Sequence, residues 1–205
     1  MKLTYFNGSG KAELARLVLA VAKVPYEFVG ISFNNWDKFK STTPIGQVPF
    51  LEFTSEGSTI IMPQSIAIAR YLAKEHNLAG KNNLESALID VVVDTVADIL
   101  NYYFDVIYHL TEEEKITQMP ILRDQRIPEA INNFKKLMNM YNPSGKTPYF
   151  IGDQLSLADL YVFNSLEHLS TVNPTVIEEC EVIKKNRDAV ASIPTIVEYM
   201  KTRGY

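Results

Sequence analysis

Residues 44–51 read PIGQVPFL, and residues 63–72 read PQSIAIARYL. In the first stretch Val48 precedes a proline, which disfavours helix and favours an extended backbone. In the second, Gln64 and Ser65 stand where an amphipathic helix begins, and the first N–H groups of a helix lack partners within it. The helix dipole is positive there, so a carboxylate fits that place. Together the stretches predict a site for a small, extended, acidic peptide; the alternative is an ordinary turn beside an ordinary helix start.

The bond between Val48 and Pro49 is a candidate for the cis form, because cis peptide bonds occur almost only before proline. A cis bond at this place would form a tight turn. Such a turn leaves the N–H and C=O groups of Val48 exposed to an extended peptide. We therefore expect Pro49 to set the shape of this site and Val48 to supply backbone hydrogen bonds.

The first part of the chain follows the order β-α-β and then β-β-α. Strands are predicted at 3–6, 26–29, 49–53 and 58–61, with a hairpin signal at 54–57 and helices at 11–21 and 64–74. Asn34, Asn35 and Trp36 are assigned to a polar loop. This order is typical of a small thioredoxin-like α/β domain, which we expect to cover residues 1–80.

The second part of the chain carries helical periodicity and few strand signals. Helices are predicted at 84–103, after Thr111, and at 127–141, 157–169 and 194–203. Thr111 with Glu114, and Ser156 with Asp159, match the capping-box pattern, in which two residues three apart satisfy backbone N–H groups at a helix start. We therefore expect an all-helical domain over residues 82–205.

Composition and charge narrow the classes of function. The chain has 205 residues, of which 46% are hydrophobic and 21% are charged, and this is ordinary for a globular protein. A net charge of −4 with no basic cluster argues against binding to nucleic acid. No run of about 18 apolar residues is present to cross a membrane, and the first residues lack the apolar region of a signal peptide.

Cysteine and histidine usage bears on redox and metal chemistry. The single cysteine, Cys180, allows neither an internal disulfide nor a CxxC redox pair. A reducing, cytoplasmic location is the simplest interpretation. His76, His109 and His168 are too scattered for zinc-ligand spacing, and the acidic run 112–114 is interpreted as a solvated helix start. We therefore expect no metal.

Five motifs in register carry a resemblance to a known family. They are KLTYFN at 2–7, the pair Trp36 and Lys40, PIGQVP at 44–49, QSIAIARYL at 64–72 and SLAD at 156–159. In this order they resemble a cytosolic glutathione transferase of the sigma class. Each motif is weak alone, but together they extend over essentially the whole chain.

The resemblance implies that Tyr5 is the catalytic tyrosine, whose phenol donates a hydrogen bond to the sulfur of glutathione. A thiol pKa of about 8.5 must fall by roughly 2 units, or about 2.7 kcal/mol, for the thiol to ionise at neutral pH. A hydrogen bond to a charged acceptor contributes about 1.5–3 kcal/mol, so one tyrosine supplies most of this. The alternative is a tyrosine buried at a strand end for packing.

The resemblance also assigns the residues that hold the tripeptide. Gln64 and Ser65 match the positions that bind the γ-glutamyl carboxylate, and Val48 matches the residue whose backbone pairs with the cysteinyl part. The amide of Gln47 stands where some relatives have lysine, and Pro49 matches the cis-proline of the family.

Three further residues are implied with alternatives. Trp36 and Lys40 lie four apart, so on a helical turn they share a face and reach the glycyl carboxylate. The alternatives are a tryptophan that anchors a loop and a solvated lysine. Lys11 stands where some relatives have arginine; it keeps the positive charge but loses the planar fork of arginine, and we expect a supporting role.

The implied partners are glutathione as cosubstrate, a hydrophobic electrophile, and a second copy of the chain in a homodimer. The electrophile would lie near Gly8, Leu100, Asn101, Tyr103 and Asp105. The implied reaction is attack of the glutathione thiolate on that electrophile, or a glutathione-assisted isomerisation. Two alternatives stay open: a dedicated isomerase that converts prostaglandin H to prostaglandin D, and a non-catalytic crystallin-like or ligand-binding protein.

Overall fold

The structure is a computed structural model that describes residues 1–178 and 180–204. Its contacts divide the chain into two compact units. The first combines Met1–Leu78 with Ile193–Tyr205, and the second is Ala79–Ser192. The domain limits of 1–80 and 82–205 stay a prediction.

A four-stranded sheet forms the centre of the first unit. Its strands are β1 (Lys2–Phe6), β2 (Glu27–Ile31), β3 (Phe50–Ser55) and β4 (Ser58–Pro63), in the spatial order β2-β1-β3-β4. β1 pairs in parallel with β2 and antiparallel with β3, which in turn pairs antiparallel with β4. This confirms the thioredoxin-like arrangement, and the bounds of the predicted strands differ from those of the structure by at most two residues.

The helices of both units follow the sequence order. They are α1 (Glu13–Ala22), α2 (Trp36–Lys40), α3 (Ser65–Glu75), α4 (Asn83–Phe104), α5 (Glu112–Ile121), α6 (Ile127–Tyr141), α7 (Leu157–Leu169), α8 (Glu181–Ala191) and α9 (Pro194–Thr202). In the first unit α1 packs against α3 and α9. Within the described part of the second unit all regular structure is helical, which confirms the all-helical prediction.

The hairpin predicted at 54–57 is confirmed, with a tighter turn than its signal suggested. Ser55 pairs with Ser58, so only Glu56 and Gly57 form the turn. Both have positive φ, 50° and 77°, as a two-residue turn of the type I′ class requires. β4 is half-buried or exposed along its whole length and lies at an edge of the sheet.

Both predicted capping boxes form. In the first, the Glu114 carboxylate accepts the Thr111 N–H at 2.8 Å and the Thr111 hydroxyl accepts the Glu114 N–H at 3.3 Å. In the second, the Asp159 carboxylate accepts the N–H and the hydroxyl of Ser156 at 2.8 and 2.7 Å. The first box is exposed and the second is buried.

Two helices were not predicted from the sequence. The assignment of residues 34–36 to a polar loop is wrong, because a 3-10 turn at Phe33–Asn35 continues directly into α2. The second helix that was not predicted is α8. It carries the fully buried side chain of Asn186. No helix among the described residues is both long and apolar enough to cross a membrane.

Candidate active site

Tyr5 is the centre of the candidate site. It lies near the end of β1, and its hydroxyl accepts a hydrogen bond from the backbone N–H of Lys11 at 2.9 Å. That N–H belongs to the first turn of a helical segment, a 3-10 turn at Gly10–Ala12 followed by α1, where backbone donors lack helical acceptors. The tyrosine oxygen therefore lies at the positive end of a helix.

Gly10 makes this approach possible. A Cβ atom at Gly10 would lie 2.4 Å from the hydroxyl oxygen and 2.9 Å from the ring edge of Tyr5, well inside contact distance. Its φ of 43° is also one that side chains disfavour. Glycine at this position therefore lets the ring of the tyrosine lie directly against the turn that begins α1.

The strand register brings the other predicted residues to the same edge of the sheet. Thr4 pairs with Phe50, so Tyr5 lies just beyond the pair on β1 and Pro49 just before it on β3. Phe50 also pairs with Pro63, which places Gln64 at this edge as well. The ends of three strands thus meet where the sequence predicts an extended peptide.

The loops at this edge have unusual backbone geometry. The Val48–Pro49 peptide bond is cis. Gln64, directly before α3, has φ 76° and ψ 109°, a backbone conformation that residues other than glycine rarely adopt. Its side chain is exposed and Ser65 is half-buried, so both stand accessible at the start of an eleven-residue helix.

The predicted pair Trp36 and Lys40 lies on α2, and Trp36 packs against aromatic rings. The ring of Trp36 meets the ring of Phe6 edge to face at 5.2 Å, and the ring of Phe33 stacks on that of Phe6 at 4.2 Å. Lys40 lies one helical turn after Trp36, and its Cε atom lies near Gly46, at 3.8 Å from where a Cβ would be. Trp36 is half-buried, and Lys40 is exposed.

Sequence reasoning missed a buried ion pair behind Tyr5. Glu13 and Arg16, three apart in the apolar α1, are 1% and 2% exposed and lie 3.1 Å apart. Arg16 donates to the carbonyl oxygens of Gly8 at 2.8 Å and Ser9 at 3.3 Å, and its guanidinium lies 5.8 Å from the centre of the Tyr5 ring. Two opposite charges spaced three apart within an apolar helix were the available signal.

The geometry supports binding of an extended acidic peptide next to a polarised phenol. The structure brings Tyr5 and the Lys11 backbone into direct contact and gathers Val48, Pro49 and Gln64 at one sheet edge. The role of each predicted residue toward a bound tripeptide stays a prediction. Among the residues that the structure describes, no group of three or more His, Cys, Asp and Glu side chains is placed to hold a metal ion.

Comparison with known protein families matches both parts of the chain. Residues 1–74 match the N-terminal domain of glutathione S-transferases, and residues 97–203 match their C-terminal domain. The second match alone covers more than half of the chain.

Curated relatives are similar over nearly the full length. The chain is 33% identical to S-crystallin SL11 of Nototodarus sloanii, 32% to a probable glutathione S-transferase 6 of Caenorhabditis elegans, and 31% to hematopoietic prostaglandin D synthase of Gallus gallus. Each alignment covers 98% of this chain and 95% or 96% of the relative.

Solved structures show the same fold. The rat hPGDS complexed with a quinoline superposes with a TM-score of 0.87 at 31% identity, over 100% of this chain and 97% of that one. The sigma class GST of Fasciola hepatica gives a TM-score of 0.87 at 26% identity, over 100% and 96%. On the strength of its two family matches and its full-length relatives, this chain belongs to the glutathione S-transferase family.

Proposed function

We propose that this protein ionises the thiol of glutathione and transfers the thiolate to a hydrophobic electrophile. As a member of the glutathione S-transferase family, it uses glutathione as cosubstrate. One observation carries the assignment of the catalytic group: the Tyr5 hydroxyl accepts the Lys11 N–H at 2.9 Å at the start of a helix. In that bond the phenol oxygen is the acceptor, and we assign the O–H of Tyr5 as the donor to the sulfur of glutathione.

The bond from Lys11 makes the phenol a stronger donor. A hydroxyl that accepts a hydrogen bond is polarised, so its own hydrogen bond to a further acceptor strengthens. The partial positive charge of the helix start acts in the same direction, because it favours a thiolate over a neutral thiol nearby. Together these effects stabilise the anion that must attack the electrophile, as activated nucleophiles require.

The remaining residues hold the tripeptide in this proposal. The Val48 backbone pairs with the cysteinyl part, and the start of α3, with Gln64 and Ser65, receives the γ-glutamyl carboxylate. Trp36 and Lys40 on α2 receive the glycyl carboxylate. The backbone conformation of Gln64 supports this assignment, since strained residues other than glycine cluster at binding sites.

Gln47 and Lys11 complete the set. The exposed amide of Gln47 lies next to Val48 and is a hydrogen-bond donor for the peptide. Lys11 adds positive charge near the sulfur beyond the contribution of its backbone N–H, and Pro49 shapes the turn. We further propose a sigma-class homodimer in the cytoplasm, with each of the two domains, 1–80 and 82–205, supplying one part of the activity.

A second candidate function uses the same thiolate. The similarity to the prostaglandin D synthase of Gallus gallus and to rat hPGDS favours conversion of prostaglandin H to prostaglandin D.

The similarity to S-crystallin SL11 favours the crystallin-like alternative, a protein without turnover. The contact between Tyr5 and Lys11 supports catalysis over the crystallin alternative, and parallel assays with an aryl halide and with prostaglandin H separate the two reactions.

The decisive experiment is Tyr5→Phe, which removes the hydroxyl and keeps the ring. The pKa of the bound glutathione thiol is measured by its ultraviolet absorbance as pH is varied. We expect this pKa to rise by about 2 units and turnover to fall about a hundredfold, with glutathione affinity little changed. Tyr71→Phe is the matched control, because it also removes one tyrosine hydroxyl. Tyr71 lies on α3, and its ring stacks on that of Phe53 at 4.9 Å. An unchanged thiol pKa in Tyr5→Phe would refute the proposal.

A further inference from the structure

The buried carboxylate of Glu13 joins two distant parts of the first unit. One oxygen accepts from Arg16 at 3.1 Å and from the Tyr199 hydroxyl at 2.9 Å, and the other accepts from Arg203 at 2.8 Å. Tyr199 lies on α9 and Arg203 directly follows that helix, 186 and 190 residues from Glu13 along the chain. A charge this deeply buried is stable only with such partners.

Arg16 extends this network to the turn at Gly10–Ala12, which contacts Tyr5. Its guanidinium donates to the carbonyl oxygens of Gly8 and Ser9, which immediately precede Gly10. It also lies over the ring of Phe28 at 4.5 Å and near the ring of Tyr5 at 5.8 Å. Because the guanidinium is planar and its bonds are directional, the position of Arg16 fixes the position of the loop that Tyr5 contacts.

The loop leaves Tyr5 little tolerance for displacement. Gly10 approaches the hydroxyl so closely that even a methyl group would not fit, and the Lys11 N–H reaches the oxygen at 2.9 Å from the same turn. A shift of the loop by a fraction of an ångström therefore lengthens the bond that polarises the phenol. Hydrogen bonds weaken steeply with such misalignment.

We propose that Arg203 and Tyr199 are positioning residues for the catalytic tyrosine. They hold Glu13, Glu13 orients Arg16, and Arg16 holds the turn that presents Gly10 and Lys11 to Tyr5. The acidity of the bound thiol thus depends on residues of the C-terminal segment of the first unit. This inference rests on the proposed function, because it assumes that Tyr5 acts on the thiol.

The test compares Arg203→Gln with Lys201→Gln. Both variants remove one positive charge from the same segment, but Lys201 is exposed, whereas Arg203 donates to the Glu13 carboxylate. We expect Arg203→Gln to raise the pKa of the bound thiol by about 0.5–1 unit and to lower turnover about three- to tenfold, with the KM for glutathione little changed. Lys201→Gln should leave the thiol pKa at its wild-type value. Arg203→Lys, which keeps the positive charge, should raise the thiol pKa by less than Arg203→Gln does.

A double variant separates positioning from a general loss of structure. In the Tyr5→Phe background the phenol is gone, so adding Arg203→Gln should raise the thiol pKa no further. If Arg203→Gln does not fold, Tyr199→Phe, which removes one hydrogen bond, takes its place with a smaller upward shift expected. A folded Arg203→Gln or Tyr199→Phe with the wild-type thiol pKa would overturn the inference.

The two proposals fail in different ways. If the wild-type protein does not lower the thiol pKa, or Tyr5→Phe leaves it lowered, the function assigned to Tyr5 is wrong. If Tyr5→Phe raises the thiol pKa as expected and the Arg203 and Tyr199 variants leave it unchanged, only the positioning role is wrong.

Discussion

Two buried carboxylates lie in the first turns of two helices, Glu13 in α1 and Asp159 in α7. Their surroundings differ in charge. Glu13 accepts hydrogen bonds from two positively charged arginines and from a tyrosine hydroxyl. Asp159 accepts four hydrogen bonds from neutral donors: the N–H groups of Phe150 and Ser156, the Ser156 hydroxyl and the Asn186 amide.

The difference in partners indicates a difference in purpose. The Asp159 network closes on itself, and Asn186 extends it only to the carbonyl oxygen of Pro148 at 2.8 Å. It ties a loop and α8 to the start of α7, which is a structural role. The Glu13 network instead leads through Arg16 to the turn around Tyr5. We therefore expect the Asp159 network to act on stability, and the Glu13 network to act also on the position of the turn beside Tyr5.

The largest expected effect on stability comes from Asp159→Ala. This change leaves several buried donors without an acceptor, each at about 1–3 kcal/mol, so we expect the free energy of unfolding to fall by roughly 3–5 kcal/mol. Urea unfolding followed by circular dichroism measures it. Asp153→Ala is the control, since that carboxylate is exposed and its ion pair with Lys81 lies at the surface; the loss should be small beside that of Asp159→Ala. A loss equal to that of the control would break the comparison.

Glu13→Gln is expected to have the next largest effect and to act on function as well. It removes the negative charge that Glu13 places beside the buried Arg16 and beside Arg203. Because Arg203 is partly exposed, we expect this loss to cost about 2–3 kcal/mol, below the range for breaking a fully buried pair. It should also raise the pKa of the bound thiol. Asp159→Asn sharpens the comparison: it should lower stability while the thiol pKa stays that of the wild type. A thiol shift in both variants would contradict the distinction drawn here.

Ser156→Ala tests how much one member of the closed network contributes. It removes the hydroxyl that donates to Asp159 but keeps the backbone N–H that does the same. We therefore expect a loss of about 1–2 kcal/mol in the free energy of unfolding, smaller than for Asp159→Ala. Differential scanning calorimetry at neutral pH measures it, and a loss greater than that of Asp159→Ala would contradict the assignment.

The smallest effect is expected from Glu114→Gln in the exposed capping box, and it depends on pH. The backbone and hydroxyl hydrogen bonds from Thr111 lower the pKa of Glu114 from its ordinary 4.5. A lowered pKa gives stability that is present above the ordinary value and is lost as pH falls through the folded value. The difference in melting temperature between wild type and variant should thus shrink below pH 4.5. Glu113→Gln, which removes one negative charge from the same turn and leaves the capping box in place, is the matched control for the change in charge.

The sequence predicted the parts of this molecule that local rules determine. Both capping boxes, the hairpin at Glu56–Gly57 and the helix Ile127–Tyr141 follow from residue types a few positions apart, and all are present in the structure. The capping rule does not state whether a box is buried, because burial depends on distant packing. Burial raises the pKa of the Asp159 carboxyl and its hydrogen bonds lower it, and neither contribution is visible in SLAD alone.

The residues that sequence reasoning missed depend on contacts across the chain. The spacing of Glu13 and Arg16 in an apolar helix is a local signal, but their burial also depends on partners such as Arg203, 190 residues from Glu13 along the chain. α2 was missed because its five residues carry too little periodicity, and the packing of Trp36 on Phe6 stabilises it. The family resemblance predicted the role of Tyr5. The hydrogen bond from the Lys11 N–H to its hydroxyl is visible only in the structure.

The first unit is discontinuous in the chain, and this has a consequence for biosynthesis. A ribosome that has made Met1–Leu78 must still translate Ala79–Ser192 before the helix that binds Glu13 exists. During that interval the nascent α1 carries a carboxylate whose partner arginine and tyrosine have not yet been polymerised. The interior of the first unit therefore reaches its final form only after translation has passed Arg203.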